Sequence, residues 1–406
     1  MNLNLGLDIG NGYVKGRYSS KDKIENIDFP SCAAYLSSIL NVSGTDNTFT
    51  VNAKNIPSDF FNQMVCTIDS PLISETNRSR FVVFGTNAIS TGRSLQQFDI
   101  GDRGLSKADQ TLSYLLLFAS VAGASVINYL TANAVDDMPN KLKVNTKVSL
   151  NLPLDEFASK KDIFVNSLNG SHKVTIHNFS KPVAIDITFA NVNILPEGLA
   201  AQYAIMTKGE PLVKALLDDA CKRNKELSIF TPKDILSCRR VCGIDIGEGT
   251  VNIPVIINRQ FSQLSRVIHS GYGTILESAL PAIQEQRLQF DSRKEVADFL
   301  QQLPNKFTQN RYKIVKRIVD TESVDLVDRI LREISALRNQ IDLIYVYGGG
   351  ATPLQDVLYS RLVERTKSAD VFPILYLDSK YARFLNREGL YQSTMTMKKN
   401  PSLSKQ

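Results

Sequence analysis

The chain has 406 residues, 43% of them apolar and 22% charged, the balance of a globular protein too long for a single compact core. Its formal charge of +6 is spread along the chain with no basic stripe, which argues against the concentrated cationic face of a direct nucleic-acid binder. Five cysteines, odd in number and scattered, argue for a reducing, cytoplasmic setting; Cys238 and Cys242 could be imagined as metal ligands, but no second Cys or His pair at ligand spacing accompanies them, and the three histidines stand isolated.

In chain order, residues 3–9, 14–19 and about 26–32 predict three short antiparallel strands, entered too early for a secretory signal. The stretch 37–71 is polar and irregular, with turn clusters at 43–47 and 56–59, and is expected to form a small surface subdomain. A strand begins at Phe81, and a helix is expected from about Lys107 to Tyr129. Residues 111–135 carry no charge and are long enough to cross a bilayer. Ser113, Ser120, Ser125 and Asn128, with no Lys/Arg asymmetry beside them, instead favour a buried central helix. Strands follow at 147–153 and within 172–194, after which the spacing turns helical, with Pro196 and Glu197 fitting a helix start. The second half repeats the plan, with a hairpin at 241–258, helices at 273–286, 292–303 and 309–340, a strand LIYVY and a last strand from Phe372. Lys313, Lys316 and Arg317 are expected on a solvated helix face, and the polar tail after Tyr391 as a flexible segment.

Three glycine-rich elements carry the chemistry. GLDIGNGYVKG, at 6–16, returns in altered form as GIDIGEGTVN at 243–252, with Asp8 and Asp245 standing 237 residues apart. In each copy an apolar strand meets an aspartate and then a Gly-x-Gly turn: Asp8, Gly10, Asn11, Gly12 and Tyr13 in the first, Asp245, Gly247, Glu248, Gly249 and Thr250 in the second. Glycines let such a turn aim its backbone N–H groups at phosphate oxygens, and the aspartate sits where a hydrated Mg²⁺ would neutralise them. One copy alone is what many tight hairpins need. Two copies suggest the jaws of a nucleotide site, with Lys15 as a point charge for phosphate. The third element, Gly348, Gly349 and Gly350 followed by Thr352, ends a strand and lets backbone pass close to a flat ligand or a phosphate.

Taken in order, these elements resemble the actin-like ATPase superfamily, and within it the bacterial plasmid-segregation actins of the ParM type. GLDIGNGYVKG looks like the first phosphate loop, PEGLAAQYA the first connecting helix and GIDIGEGTVNI the second phosphate loop. YVYGGGATPL looks like the adenosine motif, and ARFLNREGLY, 382–391, the second connecting helix with Gly389 at a close-packed crossing. The resemblance implies an α/β protein with the actin-like ATPase fold: two duplicated lobes, each a mixed central sheet flanked by helices, with a nucleotide cleft between them. Lobe I would hold residues 1–195 and take back 376–406, and lobe II would hold 196–375.

The same resemblance implies ATP and ADP as ligands, Mg²⁺ held through water by Asp8 and Asp245, and Glu197 orienting the attacking water. It implies a homopolymer filament that segregates plasmid or other DNA through a DNA-binding adaptor, with no membrane and no direct nucleic-acid contact. A non-dynamic ATP-binding scaffold and a small-molecule kinase are the alternatives on this fold. One departure stands out: Asn252 occupies a place where relatives often carry an acid, so any carboxylate role there is lost or passed to Glu248.

Overall fold

Two runs of alternating strands and helices build two separate sheets in the structure, a computed structural model that describes residues 1–20, 23–37, 59–99, 106–368 and 370–397. By contacts the chain divides into two units, one drawn from Met1–Asp99, Gly104–Ala204 and Asn386–Gln406, the other from Ile205–Leu385.

Nine strands form the sheet of the first unit: β1 (Asn2–Ile9), β2 (Tyr13–Ser20), β3 (Lys23–Pro30), β4 (Ala33–Leu36), β5 (Val65–Asp69), β6 (Phe81–Phe84), β7 (Lys141–Leu152), β8 (His172–Ile176) and β9 (Val183–Pro196). Their order is β3-β2-β1-β7-β9-β8-β5-β6-β4. β1, β7 and β9 run parallel, so their carboxyl ends share one edge. Leu5, Leu7, Val148 and Leu150 are all buried, as the period of a strand under a helix layer requires.

The helices of this unit are α1 (Phe60–Gln63), α2 (Glu75–Arg78), α3 (Gly85–Ser90), α4 (Thr111–Leu130), α5 (Leu154–Ser167) and the first turns of α6 (Leu199–Arg223). Among the described residues α4 alone is long and apolar enough to cross a membrane, and 78% of its most apolar window is buried. Ser120 and Ser125 donate to the carbonyls of Leu116 and Val121 at 2.7 and 2.6 Å, so their hydroxyls enter the core already satisfied. The helix starts at Thr111 and not at Lys107, because Lys107–Asp109 form a separate 3₁₀ turn and Gln110 is extended.

Residues 38–58 of the expected surface subdomain lie outside the described residues. The rest of that stretch departs from the expectation: β5 is a member of the sheet, and Phe60, Phe61, Val65, Cys66 and Ile68 are buried.

In the second unit β10 (Arg240–Ile246) is the central strand. It pairs antiparallel on one side with β11 (Val251–Ile253) and β12 (Val255–Ile257), which β14 (Arg266–Ile268) and β13 (Gln260–Phe261) extend. On the other side it pairs parallel with β15 (Leu343–Tyr347), itself parallel to β16 (Ile374–Tyr376). Around this sheet lie α7 (Pro232–Ser237), α8 (Tyr272–Glu285), α9 (Arg293–Gln301), α10 (Gln309–Glu322), α11 (Val324–Leu337), α12 (Ala351–Thr366) and α13 (Ser379–Ala382). Leu326, Val327, Ile330, Leu331, Ile334 and Leu337 form the buried stripe of α11 at helical spacing. One helix was expected over 309–340. The structure has two, interrupted at Ser323, whose hydroxyl donates to the Asp320 carbonyl at 2.7 Å and competes with the helix ladder.

The segment 382–391 likewise holds the end of α13 and most of α14 (Leu385–Thr396), which runs five residues past Tyr391 into what the sequence suggests is tail. Residues 398–406 of that tail lie outside the described residues. α14 lies directly on β1: a Cβ on Gly6 would fall 2.1 Å from the Tyr391 nitrogen, and one on Gly389 would fall 1.7 Å from the Ala200 oxygen. Its polar side chains meet the strands, Thr394 Oγ1 donating to Leu5 O at 2.9 Å, Asn193 Nδ2 to Ser393 Oγ at 2.8 Å, and Arg17 pairing with Glu388.

Candidate functional site

The carboxyl edge of β1, β7 and β9 gathers the first group of candidate residues. In the β1–β2 hairpin the Gly10 N–H donates to the Tyr13 carbonyl at 3.0 Å, and the Ser31 N–H donates to the Gly12 carbonyl at 2.9 Å. Asn11 sits at the tip, half-buried like its neighbours. Asp8 is 6% exposed, and its Oδ1 accepts from Asn151 Nδ2 on β7 at 2.9 Å. Lys15 stands opposite Asp8 on β2, and its partner on β3 is Asp28. Asn151 is absent from the motifs read in the sequence. Its Oδ1 is buried with no hydrogen-bond partner, an atom that calls for a donor such as a metal-bound water.

Glu197 belongs to the same edge but not to a helix. β9 runs to Pro196, the Glu197 N–H donates to Leu152 O at 2.8 Å, and α6 begins only at Leu199. The helix start expected at this acid is therefore replaced by a specific partner: Lys107 Nζ lies 2.6 Å from Glu197 Oε1. Lys107, with a side chain 7% exposed, is the functional-looking residue the sequence conceals most completely. Nothing in its neighbours marks it apart from a surface lysine at a helix start.

The carboxyl ends of β10 and β15 gather the second group. Here the Gly247 N–H donates to the Thr250 carbonyl at 2.9 Å, the same closure as in the first hairpin. Asp245, 6% exposed, faces Asn252 across the hairpin, and Asn252 Nδ2 donates to Thr250 Oγ1 at 3.3 Å. Glu248 is engaged by Arg293, whose Nε lies 2.9 Å from its Oε1, and Arg293 also pairs with Glu277. Gly249 is buried at the turn. The first residues of α8 brace this turn, with the Tyr272 and Gly273 N–H groups donating to the carbonyls of Gly247 and Glu248 at 2.9 and 2.8 Å.

The triple glycine adjoins the second hairpin because β15 and β10 are parallel neighbours with Asp245 opposite Tyr347. Gly348 has φ +96, and a Cβ on it would fall 2.4 Å from Ile246 O and 2.5 Å from Asp245 Oδ1, so only glycine fits. Gly349 is exposed, and a Cβ there would meet nothing within 4 Å. Gly350 donates to Ile246 O at 2.8 Å and caps α12, whose exposed Thr352 stands in the first turn. A Cβ on Gly350 would fall 2.7 Å from the Tyr272 Cβ. Burial, then Asp320 and Tyr312, push the Tyr272 phenol well above its usual range, which ties Tyr272 to α10. Along α10 lies a cavity of about 500 Å³ bordered by Tyr312, Lys313, Lys316, Arg317 and Asp320. Lys313 and Arg317 are exposed there, as a solvated helix face requires, while Lys316 is half-buried and held 2.9 Å from Asp320 and 3.4 Å from Asp356.

Each edge suits a phosphate-bearing ligand. Both are carboxyl ends of parallel strands, where open α/β sheets take ligands, and both combine a buried acid with a hairpin of half-buried N–H groups. The Asp8–Asn151 pair offers acceptors for the waters of a hydrated Mg²⁺.

A nine-stranded and a seven-stranded sheet with the same hairpin at matching edges define an actin-like fold. Residues 6–199 match the family described as actin like proteins N terminal domain. Among solved structures, the actin-like protein Alp7A matches at TM-score 0.65 and 15% identity, covering 97% of this chain and 96% of that one. Bacillus thuringiensis ParM with AMPPNP matches at TM-score 0.59 and 16% identity, over 97% and 98% of the two chains. The archaeal actin homolog Ta0583 matches at TM-score 0.60 and 14% identity, over 97% and 99%. No curated protein matches by sequence. The match covers just under half of the chain, and the fold of the chain as a whole is actin-like, as in the ParM-type proteins.

Proposed function

We propose that the chain is an ATPase that binds ATP with Mg²⁺ through both hairpins and self-associates into filaments whose lifetime the bound nucleotide sets. One observation carries the reading: two hairpins far apart in sequence close with the same glycine hydrogen bond, each two residues after a buried aspartate. Ordinary hairpin geometry requires no such pairing. The related ParM structures with AMPPNP and with ATP support the choice of ligand.

In this reading the N–H groups of Gly10–Gly12 and Gly247–Thr250 hold the phosphates, Lys15 adds a positive charge, and Tyr13 closes the first turn. Asp8 and Asp245 accept from the waters of Mg²⁺, with Asn151 beside Asp8. When bound, Mg²⁺ neutralises phosphate oxygens, which is most of what phosphoryl transfer to water asks for. Gly348–Gly350 and Thr352 pass against the adenosine, with open space beside Gly349 to receive it. Glu197 accepts a hydrogen bond from the attacking water and orients it.

Hydrolysis then acts as a clock, because ATP and ADP stabilise different shapes only to the extent that they bind them differently. The filament would segregate plasmid or other DNA in the cytoplasm. A DNA-binding adaptor is required, since positive charge is spread too evenly for direct grip.

Sedimentation and electron microscopy of the purified protein with Mg²⁺ and ATP, against ADP, test the reading. Filaments are expected with ATP. Glu197→Ala and Asp245→Ala are expected to assemble while releasing phosphate about tenfold more slowly or worse. Phosphate release at the parent rate by Glu197→Ala removes the role of that residue. Nucleotide binding without sedimentation leaves a scaffold in place of a filament.

A further inference from the structure

We propose that Lys107 is the positioning residue for Glu197, and that Glu156 sets Lys107 in place; this deepens the role given to Glu197 above and rests on it. The ammonium lies 2.6 Å from Glu197 Oε1, with the two side chains 7% and 13% exposed. Removing two such charges from water is costly, and an apolar pair of similar volume would commonly stabilise a fold as well or better. A dry pair of this kind therefore invites a reason other than stability.

The turn that delivers Lys107 is held from several directions. Glu156, in the first turn of α5, accepts from Ser106 Oγ at 2.7 Å, from the Lys107 N–H at 2.9 Å and from the Ala108 N–H at 3.3 Å. Ser113 Oγ donates to the Lys107 carbonyl at 2.6 Å, and the Phe98 ring lies 5.7 Å from the ammonium. On the other side, the Glu197 backbone is fixed by its bond to Leu152 O, at the edge where Asp8 and Asn151 meet. Two chain segments about 90 residues apart are thus locked so that one carboxylate keeps one rotamer. A carboxylate that orients water must hold its place, since a displacement of about 1 Å costs on the order of a hundredfold in rate.

The test compares Lys107→Met, Lys107→Arg, Glu156→Gln and Glu197→Ala, with ATP affinity and phosphate release measured separately. Lys107→Met is expected to lower kcat at least about tenfold with the ATP dissociation constant held within about threefold. Lys107→Arg, which keeps the charge, recovers most of the loss. Lys107→Met/Glu197→Ala turns over no more slowly than Glu197→Ala alone, because the two act as one unit. Without nucleotide, Lys107→Met lowers the thermal midpoint by leaving Glu197 without its cation, and adding Glu197→Gln restores it. Should Lys107→Met fold poorly, Glu156→Gln tests the same point with both charges of the pair in place and is expected to lower kcat by a smaller factor. Parent-level kcat in Lys107→Met or in a folded Glu156→Gln, alongside a slow Glu197→Ala, overturns the positioning role and leaves Glu197 standing. Parent-level release by Glu197→Ala overturns both.

Discussion

Gly348 and Gly349 are adjacent yet subject to opposite demands. Gly348 needs its positive φ, and a side chain there would drive into Ile246 O and the Asp245 carboxylate. Gly349 has open space where its Cβ would stand, so nothing in the protein requires glycine there. Gly348→Ala is expected to cost about 2–5 kcal/mol of stability, from left-handed strain plus overpacking. Gly349→Ala is expected to stay within about 0.5 kcal/mol of the parent in denaturant titration. If that space receives the adenosine, Gly349→Ala weakens ATP binding even so, and unchanged affinity would place the ligand elsewhere. At this scale the sequence shows the glycines and the two aspartates, because steric and charge requirements leave marks on residue type. It hides Lys107 and Asn151, whose meaning lies in partners 90 and 143 residues away.

Elements were legible where their period was clean and illegible where tertiary contacts supplied the reason for them. The strands of both hairpins and the buried helix α4 follow from alternation and from an uncharged run. β5 reads as irregular because only five residues of it join a sheet, through β6 and β8 on either side. α6 is broken by Gly209, with φ +62, and by Pro211, a pair of marks that a helical reading of its first turns does not reach. β8 offers a measurable case. Its His172 is buried, with Nδ1 2.8 Å from Ser70 Oγ and Nε2 3.2 Å from Leu168 O, and it packs on Phe118 of α4 and Phe189 of β9. Burial lowers its pKa, outweighing the bond to Leu168, and burial also lowers that of His177 at the end of the strand. The unfolded chain therefore takes up these protons first, near about pH 6.5. The stability they contribute is present above that pH and is lost as the pH falls through the lowered folded values. A thermal midpoint that declines from pH 6.5 downward, with a shallower slope in His172→Gln, is the expected result. Equal slopes would show that β8 does not hold its imidazole neutral.

At the scale of the whole molecule, the duplication visible in the sequence has a thermodynamic counterpart. Each unit has its own sheet, and the second has a core of its own in which Ile244, Ile246, Ile330 and Val346 are buried together, so each can unfold as a cooperative body. A ligand gripped by one hairpin stabilises one unit, whereas a nucleotide gripped by both raises the two transitions together. At a concentration of about 100 times its dissociation constant, a ligand adds about 2.7 kcal/mol to whatever it binds. For a unit of roughly 200 residues that shifts the midpoint by about 5–10 °C. Scanning calorimetry, with hydrogen exchange assigning each transition to its unit, is expected to show both moving upward with ATP and Mg²⁺. On the proposal that one nucleotide is held by both hairpins, Asp8→Ala and Asp245→Ala each reduce the shift of both transitions. A nucleotide that moved only the transition of 205–385, with Asp8→Ala silent, would mean that the second hairpin and the triple glycine bind alone and that the first copy of the motif is a turn without a ligand.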